Sequence, residues 1–191
     1  MRSDDLYAIP VGIPVPKDDA AAAHLRGAKV PSMSLLSTAG ERVDLSAYPA
    51  WTTVVFCYPR TGLPDREAPR GWNEIPGARG CTPECMRFRD LYENFRKLGC
   101  AVFGLSTQST AYQQEMAKRL GLPFAVLSDQ DLSFAQSLGL PLFEMEGQWL
   151  LKRLTMVIRG GTIAHVFYPV FPPDWHADEV LAWLRSGEAP A

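Results

Sequence analysis

The stretch Pro76-Gly77-Ala78-Arg79-Gly80-Cys81-Thr82-Pro83-Glu84-Cys85-Met86-Arg87-Phe88-Arg89-Asp90 runs from a glycine-rich loop into a helical pattern. Cys81, Cys85, Phe88, Tyr92 and Phe95 recur at alternating spacings of four and three, which puts them on one stripe of a helix ending near Gly99. Two thiols thus stand one turn apart at a helix start. A helix N-terminus carries partial positive charge and free N–H groups, which favour thiolate over thiol, and Arg79 and Arg87 add positive charge close by. Three readings of the pair are open at this point: redox chemistry, metal binding, or packing in a core.

Upstream, Trp51–Tyr58 (WTTVVFCY) is a β-branched and aromatic run suited to a buried central strand. Between it and the cysteines, Arg60–Gly80 holds three prolines and four glycines and has no periodicity. A loop of that length inside a compact domain is functional or disordered. It reads either as a solvated loop or as a lid or partner surface, with Trp72 as its anchor or packed on its own domain. Further upstream, Met33–Leu36 and Arg42–Leu45 read as a hairpin about Ala39-Gly40. Residues 1–26 read as an N-terminal arm, broken by Pro10, Pro14 and Pro16, in which Asp18-Asp19 cap a short Ala-rich helix to about Leu25.

Downstream, the pattern predicts a strand at Ala101–Ser106, a helix at Ala111–Leu120, a strand at Phe124–Leu127 and a short helix at Leu132–Leu138. Leu154–Ile158 and Ile163–Tyr168 flank Arg159-Gly160-Gly161, a hairpin signal. Asp174 is placed to cap a last helix from His176 to about Arg185. The order β-α-β-α-β-α-β-β-α predicts an α/β layered domain over residues 27–191, with a mixed central sheet flanked by helices.

Composition narrows the classes of function. The 191 residues carry 19 basic and 21 acidic side chains, so charge points neither to nucleic acid nor to an anionic membrane. No apolar run reaches the roughly 18 residues of a membrane span, and the first residues lack a signal-peptide core. The expectation is a cytoplasmic protein, in which Cys57, Cys81, Cys85 and Cys100 are catalytic, metal-binding or core residues rather than a disulfide framework. Cys57 and Cys100, inside strand patterns, read as structural. His24, His165 and His176 lie far apart in sequence and are assigned no catalytic role.

Tyr58-Pro59 closing a strand, Gly80-Cys81-Thr82-Pro83-Glu84 at a helix start and Phe88-Arg89-Asp90 after it together resemble the peroxiredoxins, nearest to the bacterioferritin-comigratory or Q-type subgroup. Val102–Thr107, Leu122–Asp129 and Lys152–Ile158 are similar to family segments and occur in family order. The resemblance implies a thioredoxin-like fold and a thiol-dependent peroxidase with no cofactor and no metal. Cys81 would be the peroxidatic cysteine, whose thiolate attacks a peroxide and becomes a sulfenic acid. Arg153 would hold thiolate and peroxide, and Glu84 would orient that arginine. Thioredoxin or a similar dithiol would restore the enzyme, as a monomer or weak dimer. The bland alternative for Arg153 is a solvated strand residue beside Lys152.

Two positions depart from the family pattern. The family threonine three residues before the peroxidatic cysteine is Ala78 here, leaving Thr61 or Thr82 as sources of a hydroxyl. The resolving cysteine, five residues after it in many Q-type enzymes, is Met86, and Cys85 stands one place earlier. On a helix the Cα atoms of residues four apart are separated by about 6 Å, against about 8.6 Å for five apart. Disulfides need about 4.4–6.8 Å. Cys85 is therefore expected to resolve Cys81 in an intramolecular disulfide once the first turn loosens. If Cys85 is only a core cysteine, an external thiol does so. The competing class is a copper chaperone of the SCO type, whose Cys-x3-Cys fits Cys81 and Cys85; the cation at Arg153 argues against it.

Overall fold

The computed structural model describes residues 5–187. Seven strands form one mixed sheet, in the order Arg42–Asp44, Ser34–Ser37, Val126–Ser128, Cys100–Ser106, Thr52–Cys57, Leu154–Arg159, Thr162–Phe167. In chain order the first three are β1 (Ser34–Ser37), β2 (Arg42–Asp44) and β3 (Thr52–Cys57), of which β3 is buried along its whole length. It lies between β4 (Cys100–Ser106), parallel to it, and β8 (Leu154–Arg159), antiparallel. β5 (Val126–Ser128) extends the parallel part, and β9 (Thr162–Phe167) closes the other edge against β8. A β-branched run with no polar face fits a central strand covered on both sides. The α/β class with a mixed central sheet expected from the order of elements is the observed one, as is the thioredoxin-like fold that the resemblance implies.

The periodic stripe folds as two helices, α1 (Cys81–Asp90) and α2 (Tyr92–Lys97), separated by a single break at Leu91 (φ −97°, ψ 2°). The stripe survives the break. Phe88 and Phe95 are fully buried, and the Phe88 ring stacks on Phe56 of β3 with centroids 4.2 Å apart. The remaining helices are α3 (Thr110–Leu120), α4 (Ser133–Leu138) and α5 (His176–Ser186). Alternation along β3 sends Val54 and Phe56 to one side, with Cys81, Cys85, Phe88 and Val180, and sends Val55 and Cys57 to the other, with Phe103, Leu105 and Leu154. Two cores therefore sandwich the sheet.

Two expectations are corrected, and one element is added. The Ala-rich segment after Asp18-Asp19 forms turns, not a helix. The aspartates accept the N–H groups of Ala20 and Ala21, but these bonds close Asx turns. Asp174 does not cap α5, because Trp175 occupies the cap position and its carbonyl takes the N–H groups of Asp178 and Glu179. Residues 142–151, to which the sequence pattern assigned no element, form a hairpin of β6 (Leu142–Met145) and β7 (Gln148–Leu151) around Glu146-Gly147, both at positive φ.

That hairpin explains the Arg60–Gly80 segment. Trp72, in a single 3-10 turn (Trp72–Glu74), is buried against Phe143 of β6 and Leu150 of β7, together with Ala78. The segment is solvated along Pro64–Glu67 and at Arg70-Gly71, while Trp72 packs on its own domain. Its own small core fixes the entrance to α1.

Candidate active site

Gly80 sets the start of α1. It holds φ +105°, and a Cβ there would lie 2.4 Å from Cγ of Pro173, so any side chain meets both strain and a collision. The chain thus swings Cys81 into the first helical position, at the end of the sheet where β3 finishes. Cys81 is 3% exposed. Its Sγ lies 3.2 Å from Nη2 of Arg153 and 3.5 Å from the carbonyl of Ala78, and the backbone N–H of Arg60 also favours its anion. Cation and N–H favour the sulfur as an anion, whereas the carbonyl suits it as a thiol.

Arg153 comes from the turn between β7 and β8, far in sequence but beside β3 through the β3–β8 pairing, where Cys57 faces Leu154. Its guanidinium is buried and fully engaged. Nη1 donates to Oε2 of Glu84, Nη2 to the carbonyls of Ala78 and Arg79 at 3.3 Å each, and Nε to the carbonyl of Gly77 at 3.3 Å. The planar fork therefore ties the loop before α1, the first turn of α1 and the Cys81 sulfur into one unit. Glu84 is 0% exposed and keeps Oε1 without a partner. Behind it, buried His176 binds Thr155 through Nε2 (2.8 Å) and Glu179 through Nδ1 (3.0 Å).

Burial pushes the Cys81 thiol up from its usual value, and the Arg153 guanidinium pulls in the opposite direction. Burial also raises the Glu84 carboxyl against the same guanidinium. The charges that sequence placed beside the thiol are differently disposed. Arg87 turns to α5 and grips Asp178 through two bonds of 2.6 and 2.5 Å. Arg79 is buried and donates to the carbonyls of Asp5 (2.5 Å) and Ala8 (3.5 Å), tying residues 5–9 over the site. The cation against the sulfur is Arg153 alone among these three.

The other cysteines separate sharply. All four are free thiols. Cys85, one turn along α1, is fully buried among the aromatic residues of its face, and burial drives its thiol well above the usual value. Cys57 lies in the core on the opposite side of the sheet from Cys81. Cys100 opens β4 at the end of the sheet away from the site, five residues or roughly 16 Å along the strand from Leu105, the partner of Cys57.

A cavity of about 80 Å³ opens over Cys81, lined among others by Leu6, Arg60, Trp72, Thr82 and Tyr112. The Thr61 hydroxyl donates to Oε1 of Gln108 at 3.2 Å, and Tyr112 donates to the Thr61 carbonyl at 3.0 Å. The hydroxyl of Thr82 is buried and has no partner. The Arg60 N–H and the Ala78 carbonyl were outside the reach of sequence reasoning, because backbone groups leave no residue signature; only Tyr58-Pro59 hinted at a turn there. Among the described residues, no group of three or more His, Cys, Asp or Glu is placed to hold a metal ion.

A mixed α/β sheet with a buried thiol at a helix N-terminus and an arginine on its sulfur defines a thioredoxin-like protein built around one cysteine. The family model described as Redoxin matches residues 25–182, and the chain belongs to that family. It is similar to the chloroplastic peroxiredoxin Q of Sedum lineare, 30% identical over 173 residues that cover 91% of this chain and 84% of the relative. Chloroplastic peroxiredoxin Q of Oryza sativa subsp. japonica is 29% identical over 161 residues, 84% of this chain and 67% of the relative. Among solved structures, peroxidoxin BcpB from Mycobacterium tuberculosis superposes with a TM-score of 0.70 at 28% identity, covering 86% of this chain and 98% of its own. A Xanthomonas campestris peroxiredoxin Q shares the fold, with a TM-score of 0.65 at 22% identity over 91% of this chain and 96% of that one. The resemblance read from the motifs therefore holds along the whole matched length.

Proposed function

We propose that this chain is a thiol-dependent peroxidase whose nucleophile is Cys81. The observation that carries the reading is the contact of Arg153 Nη2 with the Cys81 sulfur at 3.2 Å, inside a buried unit completed by Glu84. The Cys81 thiolate attacks one oxygen of a peroxide. The S–O bond forms as the O–O bond breaks, leaving Cys81 as sulfenic acid and the second oxygen as water or an alcohol after it gains a proton. Arg153 and the Arg60 N–H stabilise the anionic sulfur and the charge developing on the peroxide. Glu84 is a positioning residue that fixes the guanidinium.

Cys85 then attacks the sulfenic sulfur, releasing water and forming an intramolecular disulfide that an external dithiol of the thioredoxin kind reduces. The four-residue spacing supports this step, because residues four apart on a helix stand within disulfide reach. A second reading has an external thiol resolve Cys81, and the complete burial of Cys85 favours it. Mass mapping of cysteines after one equivalent of peroxide separates the two: a Cys81–Cys85 bridge supports the first, and a persistent sulfenic acid at Cys81 supports the second. No peroxide consumption by the reduced protein overturns both. The reading extends to a cytoplasmic monomer or weak dimer, for which sedimentation of the reduced chain is the test of size.

A further inference from the structure

Arg153 meets the Cys81 sulfur, and Ala78, three residues before Cys81, carries no hydroxyl. Ala78 has nothing to offer a substrate except its carbonyl, which already receives Arg153. Two hydroxyl-bearing residues, Tyr112 and Thr82, are among those that line the cavity over the sulfur. Tyr112 donates to the Thr61 carbonyl, and the nearby Thr61 hydroxyl is taken up by Gln108. Thr82 is 1% exposed, and its Oγ1 has no partner. It follows Cys81 directly on the first turn of α1, a helix of ten residues.

A buried hydroxyl with no partner is unfavourable, and one retained beside a reactive group points to a functional role. The cavity it lines also holds the reactive sulfur, and its volume of about 80 Å³ suits a molecule of a few heavy atoms. We infer that Thr82 is a catalytic residue whose hydroxyl binds the peroxide, taking the place left without a hydroxyl at Ala78. The inference rests on the peroxidase reading above. The hydroxyl donates to the oxygen that leaves. When the Cys81 thiolate takes up the other oxygen together with its hydrogen, the O–O electron pair stays on the leaving oxygen. The Thr82 hydrogen bond steadies that charge until water supplies the proton that completes the alcohol or second water.

The test uses the reduced full chain and hydrogen peroxide, with oxidation of Cys81 followed by rapid-mixing tryptophan fluorescence. Thr82→Val is expected to lower the second-order rate constant about tenfold, the weight of one hydrogen bond to a developing charge. Thr82→Ser restores the rate to within about twofold. The pH midpoint of the reaction stays where it is in the native chain, which a merely structural role at the helix start would move. Thr82→Val melts no lower than the native protein, because it removes an unpartnered hydroxyl. A native rate in Thr82→Val overturns the inference, as does a Thr82→Ser variant as slow as Val, or a loss carried by Thr61→Val instead. With the native chain active and Thr82→Val unimpaired, this inference fails and the peroxidase reading stands; an inert native chain overturns both.

Discussion

Cys57 and Cys81 are both buried thiols at the same end of one sheet, and they differ in company. Cys57 faces an apolar core, and the charged groups that reach it, Glu84 and Asp129, are both carboxylates that add to burial in raising its thiol. Cys81 sits on the other face with a guanidinium and a backbone N–H on its sulfur. Burial by itself makes a thiol inert. A buried thiol is made reactive by a cation that cannot be titrated away, and an arginine held by a carboxylate meets that need.

The largest expected effect tests the contrast directly. Cys81→Ser abolishes peroxide consumption in a coupled thioredoxin assay, whereas Cys57→Ala keeps the rate within about twofold while costing about 1 kcal/mol of stability in urea unfolding. Loss of activity in the Cys57 variant at unchanged folding would erase the distinction. Next comes Arg153→Gln, which lowers the second-order rate about 100- to 1,000-fold and destabilises the fold by about 3–5 kcal/mol, since it strands buried Glu84. Combining Arg153→Met with Glu84→Leu recovers most of the stability and none of the rate. Stability and activity that return together would show the arginine to be only a packing element.

Cys85→Ser has a narrower effect: one oxidation per chain proceeds at the native rate, but dithiol-driven turnover stops. Steady-state turnover equal to the native enzyme would remove Cys85 from the mechanism. The smallest effect is a shift with pH. The Cys81 thiol is raised by burial, so the neutral form dominates below its midpoint and the oxidation rate climbs as pH rises through it. The thiolate is the reacting species, hence the upward slope. Arg153→Gln removes the opposing pull and moves the midpoint to higher pH. A downward move would contradict the electrostatic role given to the arginine.

Much of this architecture was legible in the chain. The alternating apolar spacing from Cys81 to Phe95 marked the stripe that packs on β3, because helical periodicity is a local property of which face is buried. The break at Leu91 left no mark, since the apolar spacing runs through it unchanged. The Gly80-Cys81-Thr82-Pro83-Glu84 motif located the nucleophile, and Lys152-Arg153 with Glu84 was recognisable only by family likeness. The β6–β7 hairpin was missed because its two strands are short and its turn is Glu146-Gly147 rather than a favoured pair. With it went the explanation of Trp72 and of the ordered Arg60–Gly80 segment.

Sequence alone determined the class of fold, the cysteine at the helix start and the charge that would accompany it, because those depend on periodicity and on residue type. Proximity along the chain offered Arg79 and Arg87 and only family likeness offered Arg153; tertiary structure shows which of the three meets the sulfur. Arg79 and Arg87 are within six residues of Cys81, yet one ties down residues 5–9 and the other binds α5. Arg153 arrives from 72 residues away because β8 pairs with β3. Proximity along a chain is not proximity in a field, and the strand pairing that brings β8 beside β3 chose the partner.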